Sequence, residues 1–175
     1  MVYIVTGAAG FVGSNVIKKL EEQGKTVVAL ARGEAKIKRA LPQTRAKIIY
    51  GDVCSVDDVE KLFNVAGEKV ILIHCASMVY LGGNREKLTQ MRATNIEGTK
   101  NIIEACLKYN ARLLYVSSVH AITVPKKGIQ ITVESISAGI HCGRRISGII
   151  IHTFNPYDMG RREFLRCVLS HGIAV

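Results

Sequence analysis

The stretch "TGAAGFVG", Thr6 to Gly13, places glycines at positions 7, 10 and 13, directly after the apolar run "VYIV" and directly before a segment of helical spacing. No other feature constrains the chain as much. A strand that turns at once into a helix needs a residue free to leave the usual backbone regions, and Gly7 supplies it. Gly10 lets an anion approach the backbone with no side chain in between. Gly13 lets the helix lie close on the sheet. The free N–H groups at the helix start then offer partial positive charge to a pyrophosphate. A tight strand–helix turn with no ligand can carry the same letters. At the first strand of an α/β sheet, however, the spacing points to a dinucleotide.

The rest of the pattern supplies such a sheet. Apolar runs at Val2 to Val5, Thr26 to Ala31, Lys47 to Val53, Val70 to Ala76 and Arg112 to Ser118 read as buried strands. Between them, Val12 to Glu22 reads as a helix with Val12, Val16, Ile17 and Leu20 on one face and Gly24 as its stop. A short helix follows Ser55, and Asn95 to Tyr109 reads as another, with Ile96, Thr99, Ile102, Ile103, Cys106 and Leu107 inward. Continuous apolar strands separated by helices predict an α/β, Rossmann-type doubly wound parallel sheet. Residues 1–124 form the expected nucleotide-binding domain. Residues 125–175 are an atypical, shortened segment completing it, in which "GIIIHTF" is a possible strand and 160–172 a possible short helix.

Composition narrows the partners. The formal net charge is +10, which raises a nucleic-acid reading. Yet the cations are dispersed as Lys18 and Lys19, Lys36 to Arg39, Lys126 and Lys127, Arg144 and Arg145, and Arg161 and Arg162, with no interleaved aromatic residues to stack bases. A small anionic ligand and a solvated surface fit better. The five cysteines are scattered without a CxxC pair, which suits reduced thiols and no metal site. The longest apolar run, "VILIHCASMVYL", is broken by His74, Ser77 and Gly82, and "MVYIVTGAAG" has no basic flank, so neither a membrane span nor a signal peptide is expected. A cytoplasmic protein is the expectation.

The end of the second strand bears on the cofactor. An acidic residue there accepts from the ribose hydroxyls of NAD. Here the residues are Ala31, Arg32 and Gly33, with Lys36 and Lys38 beyond. A guanidinium suits a 2′-phosphate, so NADP is favoured, with NAD possible. Asp52 lies where a side chain can reach the adenine amino group, with Val53 beside the ring.

Together "TGAAGFVG", "GDV" (Gly51 to Val53), "IHCAS" (Ile73 to Ser77), "TNIEGTKN" (Thr94 to Asn101) and "VSSVHA" (Val116 to Ala121) resemble the extended short-chain dehydrogenase/reductase superfamily, of the NAD(P)-dependent epimerase/dehydratase type. Within it the chain looks most like the dihydroflavonol-reductase-like branch. The resemblance implies that Gly7, Gly10, Phe11 and Val12 border the pyrophosphate, Arg32 the adenosine ribose, and Asp52 and Val53 the adenine. It implies that Ala76 and Ser77 line the path to the nicotinamide and that Asn95 orders the site. Ser117 and Ser118 fall where the family keeps its catalytic hydroxyl, and Ser118 matches it better. A small carbonyl or alcohol substrate and a homodimer are further implications.

One family element is missing. The serine works there with a tyrosine followed four residues later by lysine, whose ammonium lowers the tyrosine pKa. The residues four beyond Tyr3, Tyr50, Tyr80, Tyr109, Tyr115 and Tyr157 are Gly7, Cys54, Asn84, Leu113, Val119 and Arg161. None is lysine, and His120 is the nearest other group that titrates near neutrality. "NPYDMG" resembles the family's "GPYD", which suggests that the YxxxK helix is lost or scrambled between Pro125 and Asn155, as in a truncated or divergent product or a fragment of a longer enzyme. Losing the following strand would leave a sheet edge open. Three readings therefore stand: a weak or inactive oxidoreductase, a non-catalytic dinucleotide-binding sensor, partner subunit or remnant, or an interaction domain keeping only the fold.

Overall fold

The computed structural model describes residues 1–67, 69–118 and 149–154, with Ser118 and the last six defined through their backbone. The elements run β1 (Val2–Thr6), α1 (Phe11–Glu22), β2 (Thr26–Ala31), α2 (Glu34–Ala40), β3 (Lys47–Tyr50), α3 (Val56–Ala66), β4 (Val70–His74) and α4 (Arg85–Arg92). A π-turn (Ala93–Gly98), α5 (Thr99–Lys108), β5 (Arg112–Ser118) and β6 (Ile149–Phe154) follow. The sheet order is β3-β2-β1-β4-β5-β6. The first five strands are parallel, and β6 is antiparallel to β5, with Ser118 opposite Ile149. The outer edge of β5, expected to be open, is therefore paired.

Strand alternation divides the core into two layers. Ile4, Val28, Leu30, Leu72 and Leu113 face α3 and α5, packing on Leu62, Phe63, Ile102 and Cys106. Val5, Val27, Ala29 and Ala31 face the other way, onto Ile17 of α1 and Ile37 of α2. Both faces are thus covered, as continuous apolar strands require.

Local chemistry sets the boundaries. α1 ends where Gly24 takes φ +68° and donates to the Glu21 carbonyl. α3 begins at Ser55, whose hydroxyl accepts from the Asp58 amide at 3.2 Å, with Asp57 and Asp58 in the first turn. A Ser55→Ala substitution is expected to lower stability by about 1 kcal/mol in urea unfolding; a loss under a few tenths would show that the cap contributes nothing. The third strand ends at Tyr50, short of the expected Val53, so Gly51, Asp52 and Val53 form a loop at its tip.

Candidate functional site

Strands β2 and β3 lie on one side of β1, while β4 and β5 lie on the other. The connections therefore diverge between β1 and β4 and leave a crevice at the strand tips, where α/β sheets place ligands. The loops there enclose a cleft of about 220 Å³ lined by Gly7 to Gly10, Leu30 to Gly33, Lys36, Gly51 to Val53, Cys75 to Ser77 and Thr94. That is below the roughly 300–1,000 Å³ of a site that encloses a whole drug-sized ligand.

The three glycines have different reasons. Gly7 has φ +68°, and a Cβ there would lie 2.7–2.8 Å from the Ala76 and Cys75 backbone. A Cβ on Gly13 would fall on the Gly7 carbonyl oxygen and 2.9 Å from its carbon. The fold itself requires both. Gly10 is exposed and extended (φ −80°, ψ 165°), and among the described residues a Cβ would meet only the Gly7 oxygen, at 3.2 Å. The protein around it therefore gives only a weak reason for glycine, whereas a ligand lying on this backbone gives a strong one.

The helix behind the turn fits the same ligand. α3 and α4 carry side-chain caps, Ser55 and Asn84, and acidic residues in their first turns. α1 has neither a side-chain cap nor an acidic residue there. Among the described residues no side chain caps its first amides, and these with the positive dipole end suit an anion. A pyrophosphate fits this cradle, and the flanking walls fit an adenosine: Val53 is apolar and buried, and Asp52 stands beside it.

Asp52 is held by its own loop, with Oδ1 accepting from the Cys54 amide at 2.9 Å and its amide donating to Asp58 at 3.1 Å. Opposite, Arg32 is exposed and Lys36 joins it on the lining. The nearby Glu34 is off the lining, paired with Lys38 at 2.8 Å, and that ammonium holds its carboxyl below the ordinary value. Among the described residues, Asp52 is thus the only carboxylate on the cleft wall. Cys75 also lines the cleft, but burial pushes its thiol up to about 12, which makes it no nucleophile at neutral pH.

Buried hydrogen bonds hold the β1 and β4 tips together. His74 Nδ1 lies 2.7 Å from Thr6 Oγ1, and Nε2 lies 3.2 Å from Thr99 Oγ1. Thr6 Oγ1 also accepts from the Ala76 amide at 3.3 Å. Either neutral tautomer satisfies the ring, one nitrogen donating its N–H to a threonine hydroxyl and the other accepting a hydroxyl proton. Burial disfavours the charged ring and pushes the His74 pKa down to about 4. Beyond β4, Asn95 Oδ1 accepts from the Met78 amide and Nδ2 donates to the Met78 carbonyl, both at 2.9 Å. Ser77 Oγ reaches the same Oδ1 at 3.4 Å.

Of the residues singled out in sequence, Gly7, Gly10, Arg32, Asp52, Val53, Ala76 and Ser77 meet in the cleft. Asn95 stands behind it, holding the loop after β4. Phe11, Val12 and Gly13 begin α1 without lining the cleft, and Phe11 is 85% exposed. Ser117 is buried, and its hydroxyl has no hydrogen-bond partner among the described residues. Ser118 is placed by its backbone at the β5 tip. His120, the 125–155 interval apart from 149–154, "NPYDMG" and the short helix expected over 160–172 lie outside the described residues. Lys36, noted in sequence beyond Arg32, is on the lining, whereas sequence reasoning missed Thr94 there and Thr6, His74, Thr99 and Asn101 behind it. A polar residue on an otherwise apolar face was the signal in each buried case. Among the described residues no cluster could hold a metal ion, and no helix is long and apolar enough to cross a membrane.

A parallel sheet crossed at β1 and β4, with a glycine turn feeding an open helix end, defines a Rossmann-type nucleotide-binding fold. Residues 3–142 match the NAD dependent epimerase/dehydratase family, and the chain belongs to it. It is 32% identical over 134 residues to 3 beta-hydroxysteroid dehydrogenase type 7 of Homo sapiens, covering 73% of this chain and 35% of that one. It is 30% identical over 146 residues to the UDP-glucose 4-epimerase of Caenorhabditis elegans, covering 75% and 42%. Among solved structures, the Thermus thermophilus UDP-glucose 4-epimerase in complex with NAD superposes with a TM-score of 0.61 at 25% identity, covering 77% of this chain and 43% of that one. The chain thus spans 35–42% of the length of these two curated relatives.

Proposed function

We propose that the cleft binds an adenine dinucleotide, NADP in preference to NAD, and that the chain belongs to hydride-transfer chemistry at a carbonyl or alcohol carbon. The observation that carries this reading is the pairing of Gly10, for which the protein gives little steric reason, with the uncapped start of α1. The family match and the NAD complex of the Thermus thermophilus epimerase support it. In this reading Gly7, Gly10 and the backbone amides of Phe11 and Val12 hold the pyrophosphate, Asp52 and Val53 the adenine, and Ala76 and Ser77 lead toward the nicotinamide. The cofactor, when bound, supplies hydride exchange at its nicotinamide ring. Ser118, at the β5 tip, hydrogen-bonds the substrate oxygen beside that ring.

Turnover by this chain is weak in the same reading. No tyrosine in the 175 residues is followed four positions later by lysine, and losing a positioned general acid typically lowers rate by about 10²–10⁴-fold. That observation favours a second reading, a non-catalytic dinucleotide-binding subunit or sensor. The two differ only in whether bound cofactor is oxidised or reduced.

The preference for NADP rests on Arg32 and Lys36 and on the absence, among the described residues, of a carboxylate from the β2 end of the lining. The chain has no tryptophan, so calorimetry is the suitable probe. Wild type is expected to bind NADPH more tightly than NADH. Arg32→Ala should weaken NADPH by about 10–100-fold, the value of a charge-assisted bidentate contact, and leave NADH almost unchanged. Equal affinities in wild type, or equal losses in the variant, would move the 2′-phosphate away from Arg32.

A further inference from the structure

We infer that Asn101 and Gly98, on the helix behind the cleft, set the position of its adenosine wall and so act as positioning residues for the nucleotide; this rests on the dinucleotide reading above. Val53 forms that wall. Its carbonyl accepts from Asn101 Nδ2 at 3.0 Å. Its side chain lies against Gly98, where an added Cβ would be 2.5 Å from Val53 Cγ2. The loop's other bonds, from Asp52 to Asp58 and from Cys54 and Ser55 to Asp52, hold Asp52 and leave the Val53 carbonyl to Asn101. One helix therefore fixes Val53 from two sides.

The π-turn explains how the same helix reaches the opposite wall. An inserted residue rotates the positions before it by about 100° relative to those after it. Upstream of the turn's end, Thr94 lines the cleft and Asn95 grips the Met78 backbone beyond β4. Downstream, Asn101 grips Val53 beyond β3. An unbroken α-helix would turn these two asparagines to a different relative angle and could not serve both loops in this way. Gly98 stands at the junction, where the missing side chain lets the helix approach Val53.

The test is calorimetric titration of AMP and NADPH into the full chain and into Asn101→Asp, Asn101→Gln and Gly98→Ala, with circular dichroism melts alongside. Asn101→Asp replaces the donor with an acceptor facing the Val53 carbonyl. It should raise the Kd of AMP and NADPH by the same factor, about fivefold, because both carry the adenosine. Asn101→Gln, which keeps an amide donor, should recover part of that loss. Gly98→Ala, which displaces the Val53 side chain, should weaken both ligands and decides the question if Asn101→Asp does not fold. A role confined to stability would lower the melting temperature and leave both Kd values unchanged, and that result overturns the inference alone. Wild type binding neither ligand overturns the dinucleotide reading, and this inference with it.

Discussion

A Gly10→Val substitution is expected to abolish dinucleotide binding while the chain stays folded. The backbone at Gly10 is extended, which valine adopts readily, and among the described residues the only atom crowding a Cβ is the Gly7 oxygen at 3.2 Å. A shift of a few tenths of an ångström relieves that contact, so the stability loss should stay within about 1 kcal/mol. The isopropyl group would instead stand over the start of α1, where the proposed pyrophosphate lies. Losing two charge-assisted hydrogen bonds to backbone amides weakens binding by at least about 100-fold. Gly13→Val is the contrasting control. There the side chain would collide with the Gly7 carbonyl inside the fold, and destabilisation of about 3 kcal/mol or more is expected. Thermal melts and NADPH titrations on both variants separate the roles. Gly10→Val binding as wild type does would remove the pyrophosphate from this turn.

Acid sensitivity is the second large effect. Burial lowers the His74 pKa from 6.5 to about 4. Between those values the unfolded chain takes up the proton and the folded chain does not. The sign follows: the contribution is fully present above pH 6.5 and falls as the pH drops, with about 3 kcal/mol lost by pH 4. Protonation would also make both ring nitrogens donors, so that neither threonine hydroxyl could donate to the ring and one of the two bonds behind the β1 and β4 tips would have to rearrange. Urea unfolding between pH 7.5 and 4.5 should show a steeper loss for wild type than for His74→Gln. The other histidines, His120, His141, His152 and His171, are common to both chains. Equal slopes would mean that His74 titrates normally.

The five parallel strands were legible because each is a continuous apolar run, and a strand buried on both faces leaves that trace. Two helices were not. α2 buries Ile37 alone and α4 buries Met91 alone, so neither has an apolar stripe to read. The π-turn left no mark either: "NIEGTKNIIEACLKY" reads as one helix because the extra residue changes an angle, which composition does not record. "GIIIHTF" read as a possible strand without a place in the sheet, because its antiparallel pairing with β5 depends on the path of the intervening chain. The third strand was read three residues too long, since Val53 is apolar and buried like a strand residue although "GDV" serves as a loop against α3 and Asn101.

The candidate site divides in the same way. Residues that face a ligand through backbone or charge, such as Gly10, Arg32 and Asp52, are recognisable from type and spacing. Residues that hold those loops are hidden among apolar neighbours. His74 broke an apolar run, and Thr99 passed as part of a helix face. Only the fold shows that the two meet and that Thr6 completes the chain.

The proposed adenine dinucleotide lies on the glycine turn between β1 and β4. Amide chemical-shift mapping of the isotope-labelled chain during NADPH titration tests that placement most directly. The account predicts saturable shifts concentrated at Gly10 to Gly13, Arg32 and Gly33, Asp52 and Val53, and Ala76 and Ser77. No shifts at millimolar NADPH, or shifts confined to the opposite ends of the strands, would contradict it.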